Sequence, residues 1–359
     1  MKVDAFDFDL PAELIAQQAT QRGESRLLVL DRASGQLSHA HIRDLPRRLR
    51  PGDLLVANDT RVFPARLIGR RVPSGGVVEC LLLHPDAAAP GDRTPEIGSR
   101  SEVWFALMHP GQKLKPGARV VFEGGGHTLE AEVLDRLFYG RRRIRLQTAS
   151  GRVADAIDAM GHIPLPPYIH RDDTAEDRER YQTVFAAHRG SVAAPTAGLH
   201  FDAPLLAALE AAGVERATIT LHVGYGTFKP VRVDDVEAHV VDPEPYEISG
   251  TVATAINRAL DEGRRVVAVG TTTTRALEHA AAAGGGRVRA GRADADLFIY
   301  PGFTFRVIQG LLTNFHLPRS SLLMLVSAFA GRDVVLGAYR EAVARRYRFY
   351  SYGDAMLIL

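Results

Sequence analysis

Three observations in the sequence predict an α/β fold interrupted by a small all-β barrel. Apolar strand-like runs alternate with helical stretches at both ends of the chain. Between residues 62 and 146 the pattern changes to short alternating runs separated by Gly/Pro turns, and after Arg152 the α/β character returns. The simplest arrangement is a discontinuous, open-barrel-like α/β domain built from residues 1–61 and 152–359, with a β-barrel domain of residues 62–151 inserted into it.

Taken in order, residues 11–21 predict a short helix, with Pro11 near its start where a missing N–H costs little. Residues 26–31 (RLLVLD) and 53–56 (DLLV) predict strands, the second ending at the turn Asn58-Asp59-Thr60-Arg61. Barrel strands are expected at residues 62–68, 77–83, 102–108, 118–122, 129–134 and 143–146, because Gly/Pro-rich turns punctuate these runs. Residues 85–101 carry no core pattern and are expected to form a mobile loop. Further strands are expected at residues 217–223, 265–269, 297–300, 311–313 and 322–329. Asp202, Ser249 and Asp333 stand where N-caps would open helices over residues 205–212, 252–262 and 334–347.

Composition excludes several classes. Hydrophobic residues make up 46% and charged residues 24%, ordinary for a globular protein. A net charge of +2 does not by itself announce a nucleic-acid binder, although Arg141–Arg142–Arg143 and Arg345–Arg346 with Arg348 form local basic clusters. Cys80 stands alone, so neither an intrachain disulfide nor a cysteine zinc site is expected. The first residues lack a basic region followed by an apolar run, and no stretch is long and apolar enough to span a membrane, so the expected location is the cytoplasm. Walker, zincin and serine-hydrolase motifs are absent.

Four turns in the second half carry the residues for chemistry. Residues 193–201 (AAPTAGLHF) contain Thr196, Gly198 and His200. Residues 221–228 (LHVGYGTF) place His222 beside Gly224, Tyr225, Gly226 and Thr227, where glycines let a ligand approach the backbone. Residues 270–275 (GTTTTR) follow a strand and open a helix, aiming N–H groups and the hydroxyls of Thr271 and Thr272 at an anion. Residues 313–318 (TNFHLP) bring Asn314 and His316. In open α/β sheets such turns gather at the carboxyl edge, where ligands bind.

These segments, together with residues 51–69 (PGDLLVANDTRVFPARLIG), 164–171 (PLPPYIHR), 177–186 (DRERYQTVFA), 266–278 (VVAVGTTTTRALE), 311–331 (LLTNFHLPRSSLLMLVSAFAG) and 347–358 (YRFYSYGDAMLI), resemble the S-adenosylmethionine:tRNA ribosyltransferase-isomerase family of queuosine biosynthesis. The resemblance implies transfer of the ribosyl part of S-adenosylmethionine to the 7-aminomethyl-7-deazaguanine wobble base of tRNA, giving epoxyqueuosine with loss of adenine and methionine. It implies no metal, with S-adenosylmethionine consumed as a substrate and no other cofactor. The sequence departs from the usual family pattern at Asp59, at Asp242 within residues 239–244, and at Gln309.

That reaction needs a base for the C5′ proton, acidified by the adjacent sulfonium, and histidine suits the task. By residue type the candidates are His200 and His222 first, then His316, with Glu244 or Asp354 assisting at the methionine ammonium or the departing adenine. Thr271, Thr272 and Arg275 suit a carboxylate or phosphate, and Asn58 and Arg61 suit the ribose or the anticodon backbone. Tyr225, Tyr168 or Phe228 offers a stacking face for the wobble base, and the two arginine clusters offer phosphate contacts. The protein is expected to act as a monomer.

Overall fold

The computed structural model describes residues 1–86 and 99–359, apart from the side chains of Tyr139, Thr227 and Phe228. The loop expected at residues 85–101 therefore lies largely outside the described residues.

In chain order the strands are β1 (Arg26–Leu30), β2 (Leu37–His41), β3 (Leu54–Asn58), β4 (Thr60–Val62), β5 (Arg66–Val72), β6 (Val77–Pro85), β7 (Ser101–His109), β8 (Arg119–Gly124), β9 (His127–Arg136), β10 (Arg141–Gln147), β11 (His188–Ser191), β12 (Glu215–Leu221), β13 (Glu244–Ile248), β14 (Val266–Val269), β15 (Gly291–Ala295), β16 (Gly310–Asn314) and β17 (Ala355–Ile358). The helices are α1 (Val153–Met160), the single turn α2 (Asp177–Arg180), α3 (Ala203–Ala211), α4 (Gly250–Asp261), α5 (Thr271–Ala283), α6 (Ser321–Ala330) and α7 (Arg332–Ala344).

The described chain divides into two compact units. One comprises Met1–Arg61, Pro166–His170 and Arg180–Leu359; the other comprises Val62–Leu165 and Arg171–Glu179. Residues 152–165 and 171–179, which the sequence pattern puts with the α/β part, thus group with the barrel. The reason is the buried face of α1 (Val153, Ala156 and Ile157), which packs on β8 and β9.

The α/β unit holds a nine-stranded sheet in the order β15-β13-β12-β3-β14-β16-β17-β1-β2. Its centre, β12-β3-β14-β16, is parallel. The strands β3, β14 and β16 are buried throughout, as expected of parallel strands covered on both faces. Alternate side chains feed two cores. Leu54, Val56, Val266 and Ala268 meet α4, α5 and α6, while Leu55, Ala57, Val267 and Val269 meet α3 and the turn around Ile42 and Leu45. The barrel unit closes β10-β7-β6-β5-β8-β9 into a ring in which every neighbouring pair is antiparallel.

The structure corrects four expectations. Residues 11–21 form only the turn Ala12–Leu14; beyond it Ile15 bridges to Phe349 and the Gln17 amide donates to the Tyr168 carbonyl. Residues 322–329 are helix, not strand: α6 is capped by Ser320 and is so apolar that no period distinguishes its faces. Residues 297–300 lie outside any strand. Helix α7 begins at Arg332 after Gly331, whose φ of 88° breaks the chain between α6 and α7, and Asp333 sits in its first turn.

No single helix among the described residues is long and apolar enough to cross a membrane.

Candidate active site

Sheet topology decides which turns meet. Because β12, β3, β14 and β16 run the same way, their carboxyl ends share one edge. Strand β17 is antiparallel to β16, and β1 is parallel to β17, so their amino ends arrive at that same edge. Thus Asp59-Thr60, His222-Val223, Gly270-Thr271, Phe315-His316, Ser25 and Tyr350-Ser351 all come to one rim. A cleft of about 520 Å³, counted out to its mouth, opens there.

One wall is the start of α5. Gly270 has φ 90° and supplies no capping side chain, so the helix begins with its first N–H groups uncapped. The Thr273 and Thr274 hydroxyls bond back to the carbonyls of Val269 and Gly270. The Thr271 and Thr272 hydroxyls line the cleft and make no hydrogen bond to any described residue. The positive end of the helix dipole, uncapped N–H groups and two uncommitted hydroxyls give this corner the chemistry to bind an anion.

The opposite wall follows β16. His316 is buried, lines the cleft and pairs Nε2 with Thr313 Oγ1 at 2.9 Å. Its Nδ1 makes no hydrogen bond to a described residue. Burial pushes its pKa down to about 3, so the ring is neutral at ordinary pH. Asn314 also lines the cleft; its Nδ2 donates to His200 Nε2 at 3.2 Å and to the Tyr350 carbonyl, and its Oδ1 accepts from Thr196 Oγ1. His200 sits behind Asn314 with Nδ1 on Ser25 Oγ at 2.8 Å, and burial lowers its pKa to about 4. With both ring nitrogens engaged, His200 orients Asn314 and presents no lone pair to the cleft.

Aromatic rings complete the mouth. Tyr168 and Tyr350 both line the cleft, edge to face with centroids 3.8 Å apart, and the Tyr168 hydroxyl bonds to Ser351. Tyr350, Ser351 and Thr313 were not among the residues expected from sequence. The aromatic, Gly-bearing turn before β17 was the available signal, and Tyr350 carries a positive φ of 74°.

Several expected residues are held elsewhere. His222 does not line the cleft: its Nδ1 meets Thr60 Oγ1 at 2.7 Å, and its ring packs so closely on Gly190 that a Cβ there would lie 2.6 Å from Cε1. Its pKa is lowered, first by burial and then by His188. Asn58 ties β3 to β12 through Leu221 N–H and C=O, leaving it no reach to a ribose. Arg61 is exposed, away from the cleft lining.

Glu244 and Arg275 form a buried ion pair at 2.8 Å. Glu244 also accepts from Gly224 N–H, and Arg275 donates to the carbonyls of Leu297 and Ala295, so that guanidinium is spent on the protein and not on a substrate carboxylate. Asp354 is likewise structural, accepting from Arg26 and from the Arg348 N–H. Gly226 abuts the Asp242 carboxylate and Gly198 abuts Thr183, which explains both glycines by packing. Tyr225 is half-buried, and the side chains of Thr227 and Phe228 lie outside the described residues.

Among the arginines, Arg142 is buried with its guanidinium on the carbonyls of Gly111, Leu114 and Arg141, which rules out a phosphate contact by that side chain. Arg143 pairs with Asp86 and Asp135, and Arg345 with Glu341. Arg348 donates to the carbonyls of Gln18 and Tyr352, and Arg346 is exposed beside Glu13. The described residues contain no cluster of three or more potential metal ligands.

Fold and cleft describe an α/β unit with a candidate small-molecule cleft at the carboxyl edge of its sheet, and a β-barrel unit. The chain belongs to the queuosine biosynthesis protein family, whose model matches residues 3–358. It is 50% identical over its full length to the S-adenosylmethionine:tRNA ribosyltransferase-isomerase of Heliobacterium modesticaldum, and 51% identical to that of Symbiobacterium thermophilum, with all of both chains covered in each case. Among solved structures it is similar to S-adenosylmethionine tRNA ribosyltransferase from Thermotoga maritima, at 37% identity and a TM-score of 0.54, covering 99% of this chain and all of that one.

Proposed function

We propose that this chain transfers and isomerises the ribosyl group of S-adenosylmethionine onto the aminomethyl group of 7-aminomethyl-7-deazaguanine at the tRNA wobble position, forming epoxyqueuosine and releasing adenine and methionine. Full-length identity of about half to enzymes of that name supports the activity. The observation that carries the site is the cleft at the sheet edge, where an anion-binding helix start faces a neutral, uncommitted histidine nitrogen.

In this reading the start of α5, with the Thr271 and Thr272 hydroxyls, binds the methionine carboxylate. His316 Nδ1 takes the C5′ proton. A carboxylate bound opposite raises the proton affinity of that imidazole, so the substrate itself tunes the base. Asn314, held by His200, hydrogen-bonds the ribose, and Tyr168 with Tyr350 offers a stacking face to adenine or to the deazaguanine. Glu244 and Arg275 act as positioning residues that hold the turn at Gly224. The α/β unit carries this chemistry, S-adenosylmethionine is consumed as a substrate without a further cofactor, and the protein works as a cytoplasmic monomer.

The test is adenine release from S-adenosylmethionine in the presence of tRNA bearing the aminomethyl-deazaguanine. Release that depends on that modified tRNA supports the reading. Release with unmodified tRNA, or none with either, overturns it.

A further inference from the structure

The barrel has two ends, and its topology makes them unequal. The chain enters at Arg66 and leaves at Gln147, and the antiparallel order puts both at one end. The connections β5–β6, β7–β8 and β9–β10 therefore all lie at the other, distal end. Register confirms the grouping: Val72 pairs with Arg119, Arg70 with Val77, Glu79 with His109, and Arg136 with Arg142.

This distal rim exposes apolar side chains that a soluble barrel normally hides. Phe138, at the tip of the β9–β10 hairpin, is 86% exposed and Val77 is 60% exposed, and Val72 and Leu137 are exposed beside them. The same end carries the exposed cations Lys113, Lys115, Arg119 and Arg136, which form no ion pair with any described residue. The neighbouring carboxylates are already matched: Glu79 with Arg66, Asp135 with Arg143, and Glu132 with Arg145. The loop carrying the lysines is held in place, because Arg142 grips the carbonyls of Gly111 and Leu114 and Arg71 grips that of Lys113. Arg142 thus serves the rim from within.

We infer that this rim is a docking surface for RNA, with Lys113, Lys115, Arg119 and Arg136 meeting phosphates and Phe138 stacking on an unpaired base. Charge complementarity selects the occupant: four cations without a described carboxylate partner, at the barrel end that also displays an exposed aromatic ring, fit a polyanion with accessible base faces. An apolar protein partner has no use for those cations. The inference rests on tRNA being the substrate, and it deepens that reading by naming where the barrel would hold it.

The experiment uses the full chain and tRNA, with filter-binding affinities at several salt concentrations, adenine-release kinetics, and sedimentation of the protein alone. Phe138→Ala should weaken tRNA binding roughly ten-fold, and Phe138→Tyr should restore it. Lys115→Gln with Arg136→Gln should lower the slope of log affinity against log salt by about 1.5, as expected for two lost phosphate contacts. All three proteins should keep the wild-type melting temperature, the kcat at saturating tRNA and the KM for S-adenosylmethionine. Unchanged tRNA affinity and slope would overturn the inference. So would loss of a concentration-dependent dimer in Phe138→Ala with tRNA binding intact, which would make the rim a self-association face. Should wild-type protein bind tRNA yet release no adenine, the proposed reaction fails while the binding data still decide the rim.

Discussion

At the carboxyl edge of the large sheet, His316 and Thr272 are each 6% exposed and Asn314 is 3% exposed, whereas at the distal rim of the barrel Phe138 is 86% exposed. The first region buries polar groups and the second displays apolar ones, and each arrangement works against folding. A buried polar atom left without a partner costs about 1–3 kcal/mol. Apolar surface left in water forgoes about 25 cal/mol per Å². Under the proposed function and the rim inference, the two costs are met by different kinds of partner: a small polar molecule that satisfies the cleft from inside, and a polyanion that covers the rim from outside.

The largest effect expected at the cleft comes from His316. Replacing it with Gln keeps volume and polarity but removes the basic nitrogen, so adenine release should fall by about 10²–10⁴-fold while the protein stays folded. Under the same logic His200→Gln should act through Asn314, raising the KM for S-adenosylmethionine more than it lowers kcat. If His200→Gln proves the dead variant and His316→Gln turns over normally, the two roles are reversed.

Arg275→Met comes next and is read as stability. It strands the buried Glu244 carboxylate, and an uncompensated buried charge costs about 3–5 kcal/mol. A denaturant midpoint unchanged by Arg275→Met would mean that the pair is not the structural tie described here. Adding Glu244→Leu should recover much of the loss.

A smaller, graded effect concerns pH. His200 and His316 have folded pKa values of about 4 and about 3, below the unfolded value of about 6.5. The unfolded chain therefore binds more protons as pH falls, so their contribution to stability is complete above about pH 6.5 and is lost on acidification. Between pH 6.5 and 4 each imidazole should add ~1.4 kcal/mol per pH unit to the slope of unfolding free energy. His316→Gln should remove one such increment, measured by denaturant unfolding across that window. An unaltered slope would mean that His316 is not held neutral by burial.

How much of this was legible in the sequence differs between the same two regions. Five of the six barrel strands could be read, because β7 alternates inward and outward residues along SEVWFALMH and glycine or proline marks the turns, whereas the first, expected at residues 62–68, is β5 at Arg66–Val72, displaced because residues 63–65 around Pro64 leave the ladder. In the α/β unit the sequence of α6 reads as a strand although it is helix, because SLLMLVSAFA is buried on most sides and neither period 2 nor period 3.6 shows. The turns that meet at the sheet edge were visible by composition, since the start of α5 and the Asn314–His316 pair announce themselves. What each side chain faces was not. Sequence gave no reason to prefer His316 over His200, since the choice depends on Ser25, 175 residues away, occupying the Nδ1 of His200. The Glu244–Arg275 pair spans 31 residues, and nothing in either local motif reveals it. Arg142 and Arg143 looked alike in sequence, but strand alternation sends one inward and the other outward.

The separation of the proposed S-adenosylmethionine cleft from the inferred tRNA rim, each on its own residues, underlies both readings. Its most direct test is a crossed affinity measurement by calorimetry, comparing Thr271→Val with Thr272→Val in one protein and Lys115→Gln with Arg136→Gln in another. The threonine variant should lose about a hundred-fold or more in affinity for S-adenosylmethionine, as for two lost hydrogen bonds to a charged group, and keep its tRNA affinity, while the rim variant should lose tRNA affinity and keep that for S-adenosylmethionine. Loss of both affinities in either variant, or an unchanged S-adenosylmethionine affinity in the threonine variant, would contradict it.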